Sequence, residues 1–76
     1  MAKIILPELG EGITQAKVVA WHFKEGQAVT PDDDVVELVT DKAVFNVPAP
    51  VAGRITKIYY KEGQEAPVGA LLADLT

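Results

Sequence analysis

The chain has no cysteine and only one histidine among its 76 residues. Without cysteine it can form no disulfide, no thiolate metal site and no thiol nucleophile. The histidine, His22, has no polar partners along the sequence that would complete a triad or a ligand set, so we interpret it as a strand residue on the outer face. No enzyme active site can be assembled from the other residues, and we therefore expect a domain without catalytic activity of its own.

Basic charge and long apolar runs are also scarce. Lysine and arginine number 7 against 11 acidic residues, for a formal net charge of −4. This balance argues against nucleic-acid binding, which needs clustered positive charge. No apolar stretch approaches the roughly 20 residues that span a bilayer, and the opening apolar run is too short for a signal-peptide core. We expect no nucleic-acid partner and no membrane partner.

Two short motifs that could indicate binding sites are weak. The run Asp32-Asp33-Asp34 lacks the alternating oxygen ligands and the distal glutamate of a calcium loop, so we interpret it as a solvated turn. The segment Gly10-Glu11-Gly12 is followed by no basic residue and no helix start, which a phosphate-binding loop requires. Neither motif predicts a metal or phosphate site.

Short apolar runs punctuated by glycine and proline dominate the chain. They cover residues 2–6, 17–23, 35–39, 44–47, 54–60 and 70–75, with 6 glycines and 5 prolines in the sequence. No window of helical length has a clean 3.6-residue period. This spacing predicts an all-β sandwich or barrel, formed as one domain over residues 1–76.

An internal repeat divides the chain into two similar halves. The sequence Lys-Glu-Gly-Gln occurs at 24–27 and again at 61–64, and apolar residues before and after the two copies align. The repeat predicts a pseudo-twofold domain whose turn glycines, Gly26 and Gly63, have positive φ. Apolar residues in a strand recur at every second position, but Val18 and Trp21, and likewise Ile55 and Ile58, are three positions apart. This change of spacing predicts a β-bulge in each half.

Lys42 lies in a short polar break between two strand-like runs, Val35–Val39 and Val44–Val47. Valine-rich runs joined by a short polar segment predict a β-hairpin, which would place the lysine at its exposed tip. A lysine held clear of the domain is suited to covalent modification. The alternative is an ordinary turn lysine with no special role.

The residues around Lys42 resemble a known family. The sequence Val39-Thr40-Asp41-Lys42-Ala43 resembles the lipoyl-attachment sequence of lipoyl domains in 2-oxo acid dehydrogenase complexes, although Val39 stands where glutamate is common. The segment Leu6–Ile13 is similar to their opening strand and surface loop. Gly26, 16 residues before Lys42, and Gly53, 11 residues after it, match the family spacing. The resemblance covers the whole chain.

The resemblance implies a fold and a set of site residues. The fold would be a flattened barrel of two four-stranded antiparallel sheets with pseudo-twofold symmetry, its chain ends at the opposite pole from Lys42. Lys42 would carry amide-linked lipoate, and Asp41 and Ala43 would present it to the lipoate-attaching enzyme. Partner recognition would involve the following residues: Glu8, Leu9, Gly10, Glu11, Gly12 and Thr40.

The resemblance also implies partners. The lipoyl arm would carry acyl groups and electrons between a thiamine-dependent 2-oxo acid decarboxylase, an acyltransferase catalytic domain and the flavin enzyme dihydrolipoamide dehydrogenase. The domain would be a monomer and would form part of a dihydrolipoamide acyltransferase. The opening Gly10–Ile13 favours a pyruvate or branched-chain complex. The location would be the bacterial cytoplasm, or the mitochondrial matrix in a eukaryote.

Three alternatives remain. Biotinyl carrier domains share the fold, but they flank their lysine with methionines, whereas Asp41 and Ala43 flank Lys42 here. The carrier protein of the glycine cleavage system is longer and has extra helices. An unmodified barrel-sandwich interaction module would keep the hairpin without using its lysine, and a failure of modification would favour that alternative.

Overall fold

The computed structural model describes residues 2–76, which form eight β-strands. The strands are β1 Ala2–Ile5, β2 Gln15–Trp21, β3 Ala28–Val29, β4 Asp34–Val39, β5 Val44–Pro48, β6 Gly53–Ile58, β7 Glu65–Pro67 and β8 Leu71–Leu75. The all-β prediction is confirmed. Six strands correspond to the six apolar runs, whereas β3 and β7 have only two and three residues and are too short to give a pattern. Within the described residues there is no helix of the length and apolarity needed to cross a membrane.

The strands form two four-stranded antiparallel sheets related by the repeat. Their orders are β1-β8-β6-β3 and β5-β4-β2-β7. When each strand of the first sheet is replaced by its counterpart from the other half of the chain, the order of the second sheet results. The pseudo-twofold prediction is therefore confirmed. The pairing of β1 with β8 places Ala2 opposite Leu75, in the position that corresponds to the β4–β5 hairpin of the other sheet.

The core lies between the two sheets and is entirely apolar in the described residues. Buried and exposed side chains alternate along β7 and along the first residues of β2, as a half-buried antiparallel sheet requires, whereas β4 and β8 each bury two consecutive residues. Val18, Leu38, Ile55 and Leu72 have no exposed surface. Burial of apolar area of this kind supplies most of the stabilisation of a small domain.

The repeated turns hold the two halves together. Gly26 has φ of 94° and Gly63 has φ of 91°, which confirms the predicted left-handed conformations. The N–H of Gly26 donates to the carbonyl of Ile55 at 2.6 Å, and the N–H of Gly63 donates to that of Val18 at 2.8 Å. Each turn therefore bonds to the other half. Both acceptors adjoin the predicted β-bulges, which are observed at Val18/Ala20 and Ile55/Lys57.

The glutamates of the two turns form a second reciprocal pair of contacts. Glu25 Oε2 accepts from the N–H of Ile58 at 2.8 Å, and Glu62 Oε2 accepts from the N–H of Trp21 at 3.2 Å. These side chains line a surface groove of about 700 Å³, together with Trp21, Phe23, Lys24, Ile58 and Lys61. Because both carboxylates bind backbone of the opposite half, we interpret the repeat as a structural clasp.

Gly53 is required by close packing and not by an unusual backbone conformation. A Cβ at this position would lie 2.5 Å from the carbonyl oxygen of Thr76, beside the last strand. We expect Gly53→Ala to lower the free energy of unfolding by about 1–3 kcal/mol, as overpacking usually does. Urea denaturation would measure the loss, with Thr56→Ala on the exposed face of β6 as the control. An unchanged midpoint for Gly53→Ala would show that the terminal backbone moves aside freely.

Candidate functional site

The tip of the β4–β5 hairpin carries the residues that the sequence singles out. The last pair of the ladder is Val39 with Val44, so the tip is the four-residue segment 40–43. The N–H of Thr40 donates to the carbonyl of Ala43 at 2.9 Å and closes the tip. Asp41 and Lys42 lie between them and are exposed. The predicted location of Lys42 on the hairpin agrees with the structure.

The side chain of Thr40 contributes most of the hydrogen bonds of the tip. Its Oγ1 accepts from the backbone N–H of Lys42 at 3.2 Å and from that of Ala43 at 3.1 Å. Sequence reasoning assigned Thr40 to partner recognition alone and gave no indication of this local role. The signal that could have indicated it is the preference of threonine hydroxyls for nearby backbone N–H groups in turns.

Lys42 and the loop before β2 meet at Gly12. This glycine has φ of 83° and belongs to a turn in which the N–H of Ile13 donates to the carbonyl of Gly10 at 3.2 Å. A Cβ at Gly12 would lie 3.9 Å from Lys42 Nζ, and no other atom comes within 4 Å of that position apart from the chain neighbours. The amine of the exposed Lys42 side chain therefore lies beside the backbone of Gly12, at a position where the loop has no side chain of its own.

The sheet topology explains why this loop lies beside the hairpin. The loop leads directly into β2, and Lys17 near the start of β2 pairs with Val39, the last residue of β4 before the tip. On its other side Lys17 pairs with Glu65 of β7. Segments far apart in sequence are therefore brought together by the order β4-β2-β7 within one sheet.

A groove of about 460 Å³ runs between the loop and the hairpin. Three predicted site residues line it, namely Gly12, Thr40 and Asp41, while the remaining lining residues are Ile13, Thr14, Gln15, Ala16, Lys17, Val39 and Glu65. Of this second group, Ile13 and Val39 belong to the two segments that carried the family resemblance, whereas nothing in the sequence indicated the other five. Glu65 had no local signal because it reaches the groove only through the β2–β7 pairing, where its Oε2 accepts from Gln15 Nε2 at 3.1 Å.

The other predicted recognition residues lie outside this groove. Glu8, Gly10 and Glu11 are exposed on the loop, where partners have access to them. Leu9 is partly buried and packs against the core, so it anchors the loop to the domain. The predicted set therefore divides into surface residues, one anchor and the residues that approach Lys42.

Lys42 places an exposed primary amine at the tip of the hairpin, whereas Lys17, the other lysine at this site, is exposed on β2 and lines the groove. In the described part of the chain, no cluster of His, Cys, Asp or Glu is arranged to hold a metal ion. The aspartate run predicted to be a turn is one at Asp32 and Asp33, where Asp33 Oδ2 accepts from the N–H of Thr30 at 2.9 Å, whereas Asp34 is the first residue of β4. His22 is exposed as predicted, although it lies just beyond the end of β2. The arrangement is suited to presenting one primary amine to a modifying enzyme.

Comparisons with known sequences agree with this geometry. The family model Biotin_lipoyl, described as "Biotin-requiring enzyme", matches residues 2–75. A succinyltransferase component of the 2-oxoglutarate dehydrogenase complex from Bartonella vinsonii is 49% identical over 92% of this chain and 17% of that protein. A lipoamide acyltransferase component of the branched-chain α-keto acid dehydrogenase complex from Pseudomonas aeruginosa is 42% identical over 95% of this chain and 17% of that protein.

An acetyltransferase component of the pyruvate dehydrogenase complex from Staphylococcus aureus is 36% identical over 92% of this chain and 16% of that protein. The chain therefore spans about one sixth of the length of these curated relatives.

Solved structures give the same fold. The lipoyl domain of the 2-oxoglutarate dehydrogenase complex from Azotobacter vinelandii superimposes with a TM-score of 0.80 at 38% identity, covering 100% of this chain and 96% of that one. The urea carboxylase of Kluyveromyces lactis matches with a TM-score of 0.79 at 22% identity, covering 97% of this chain and 6% of that one. The second likeness concerns the fold alone.

Proposed function

The chain belongs to the biotin/lipoyl attachment family and is a lipoyl domain of the kind found in dihydrolipoamide acyltransferases, and from this premise we propose that Lys42 is its lipoyl-attachment residue. The observation that carries the proposal is the position of Lys42. It lies exposed at the tip of the β4–β5 hairpin, and its Nζ lies over the bare backbone of Gly12. An acyl group joined there in an amide bond would extend into solvent without displacing any part of the domain.

The residues beside Lys42 have separate roles in this proposal. The amide bond would form between Nζ of Lys42 and the activated carboxyl group of lipoate, and the attaching enzyme would take up the proton that Nζ releases. Asp41 and Ala43 leave that enzyme free access because both are exposed and neither has a bulky side chain. When bound, the lipoyl group supplies a disulfide that accepts an acyl group and electrons. The domain itself supplies position and reach.

We propose that the domain serves several active sites in turn as a non-catalytic carrier. Tethering raises the effective concentration of a bound group without requiring tight binding. The partners would be the decarboxylase, acyltransferase and dihydrolipoamide dehydrogenase active sites of a 2-oxo acid dehydrogenase complex. Exposed Glu8 and Glu11, with Thr40 beside the groove, would contact the decarboxylase. The chain would form one domain of a longer acyltransferase, in a bacterial cytoplasm or mitochondrial matrix.

Relatives from three kinds of complex match this chain. Their names specify 2-oxoglutarate, branched-chain and pyruvate dehydrogenase complexes. Pyruvate and branched-chain complexes, which the opening segment favoured, are among them, but so is the 2-oxoglutarate complex, and the proposal therefore specifies the 2-oxo acid class only.

Lipoate is proposed in preference to biotin. The family model covers both kinds of carrier. Two observations favour lipoate, namely the 38% identity to a lipoyl domain over the whole chain and the absence of methionine on either side of Lys42. The match to the urea carboxylase of Kluyveromyces lactis is at 22% identity and concerns the shared fold alone.

Mass spectrometry after enzymatic modification tests this assignment. The domain would be incubated with lipoate ligase, ATP and lipoate, and in parallel with biotin ligase, ATP and biotin. We expect a single lipoyl mass increment, located on Lys42 by peptide mapping, and no increment from the biotin reaction. Biotin on Lys42 would make the domain a biotinyl carrier. No increment on a folded domain would instead favour an unmodified interaction module.

A further inference from the structure

The hairpin tip is a four-residue loop, from Thr40 to Ala43. Such loops are most often built around a type I turn, which needs no positive φ. No described non-glycine residue has positive φ, so Asp41 and Lys42 are compatible with a turn of this kind. The backbone N–H groups of Lys42 and Ala43 donate to no backbone carbonyl within the loop. They therefore need a side-chain acceptor if the conformation of the loop is to be fixed.

The hydroxyl of Thr40 meets that need. It accepts from the N–H groups of Lys42 and Ala43, at 3.2 and 3.1 Å, and Oγ1 also lies 3.2 Å from the carbonyl oxygen of Ala43. The one backbone bond across the tip runs from the N–H of Thr40 to that same carbonyl. A single side chain therefore bonds to the two residues on which the direction of the Lys42 side chain depends.

We propose that Thr40 is the positioning residue of the modification site, and that its hydroxyl holds the tip in the conformation that the lipoate-attaching enzyme binds. The inference rests on the proposed function and adds a residue to it. It differs from the partner-recognition role expected for Thr40, because here the hydroxyl acts on the backbone of its own turn. Thr40 is half-buried beside the groove, with its hydroxyl directed to the tip.

Three variants test the proposal through the kinetics of lipoate attachment. Thr40→Val keeps the branched shape and removes the acceptor, Thr40→Ser keeps the hydroxyl, and Thr56→Val removes an exposed hydroxyl on β6 that donates to the carbonyl of Asp74. For Thr40→Val we expect KM for the domain to rise about tenfold with kcat unchanged. This result follows if only about a tenth of the variant molecules have the tip in the conformation that the lipoate-attaching enzyme binds. Thr40→Ser and Thr56→Val should behave as the parent domain does.

Two further measurements separate positioning from other effects. Acetylation of Lys42 by an N-hydroxysuccinimide ester, followed by peptide mapping, should proceed equally in parent and Thr40→Val, because a small reagent needs no particular turn. Amide hydrogen exchange at Ala43 should be faster in Thr40→Val than in the parent, since its acceptor has been removed. Circular dichroism would establish that each variant is folded.

Several outcomes would overturn the inference. Equal KM values for parent and Thr40→Val would do so, as would a loss in Thr40→Ser as large as that in Thr40→Val. A fall in kcat at constant KM would assign the hydroxyl to the chemical step instead. If the parent domain accepted no lipoate, the proposed function would fail, and equal exchange at Ala43 in parent and Thr40→Val would separately refute the holding role of the hydroxyl.

Discussion

Lys42→Arg is expected to abolish lipoate attachment while leaving the domain folded. Arginine keeps the positive charge and the approximate length of the side chain, and position 42 is exposed, so the fold has no reason to change. The guanidinium group stays protonated in proteins and is a poor acyl acceptor. Because all attachment is proposed to occur at one amine, the expected loss is complete. Intact-mass spectrometry after reaction with lipoate ligase would show it.

Lys17→Arg is the matched control for this experiment. Lys17 lines the same groove as the hairpin tip and lies in β2, opposite Val39. We expect it to accept one lipoyl group as the parent does. If Lys42→Arg still gained a lipoyl increment, the attachment site would be assigned to another lysine, and peptide mapping would identify it.

Ile55→Ala is expected to cause the largest loss of stability among single core truncations of β6. Ile55 is fully buried, and its backbone lies at the bulge where the turn of Gly26 bonds to the second half. Truncation of a buried isoleucine typically costs about 2–5 kcal/mol. Small domains have only about 5–15 kcal/mol of total stability. We therefore expect Ile55→Ala to lower the urea midpoint strongly and to lower the melting temperature of the domain.

The neighbouring residue on the same strand provides the control. Thr56 points to the exposed face of β6 and its hydroxyl donates to the carbonyl of Asp74, so Thr56→Ala should lower the free energy of unfolding by about 1 kcal/mol at most, well below the loss in Ile55→Ala. The two variants together test the predicted alternation of β6. Equal losses for both, or a larger loss for Thr56→Ala, would mean that the register of β6 differs from the one described.

The sequence repeat made the symmetry of the fold predictable, but the two shortest strands could not be predicted from the sequence. The repeated Lys-Glu-Gly-Gln predicted the pseudo-twofold relation, the positive φ of Gly26 and Gly63 and the two bulges, all of which are observed. The strands β3 and β7 were missed. A strand of two or three residues is stabilised by its partner strand and not by its own propensity, so its local pattern carries little information.

The candidate site was predictable only where it is contiguous in sequence. The tip residues 40–43 could be read directly, because the strands on both sides have a clear pattern. The groove beside them could not. Lys17 and Glu65 reach it through the pairing of β2 with β4 and β7, and the pairing of distant strands is a property of the whole sheet.

Local patterns of apolar residues, glycine and polar turns are enough to specify the all-β class, the two related halves and the exposed lysine between two strands. In contrast, the position of Gly12 beneath Lys42, the closure of the tip by Thr40 and the space that Gly53 leaves for Thr76 become apparent in the folded chain alone. These three relations depend on how the backbone approaches itself in space. The distances involved are set by packing of the assembled sheets, and a pattern along one strand does not specify them.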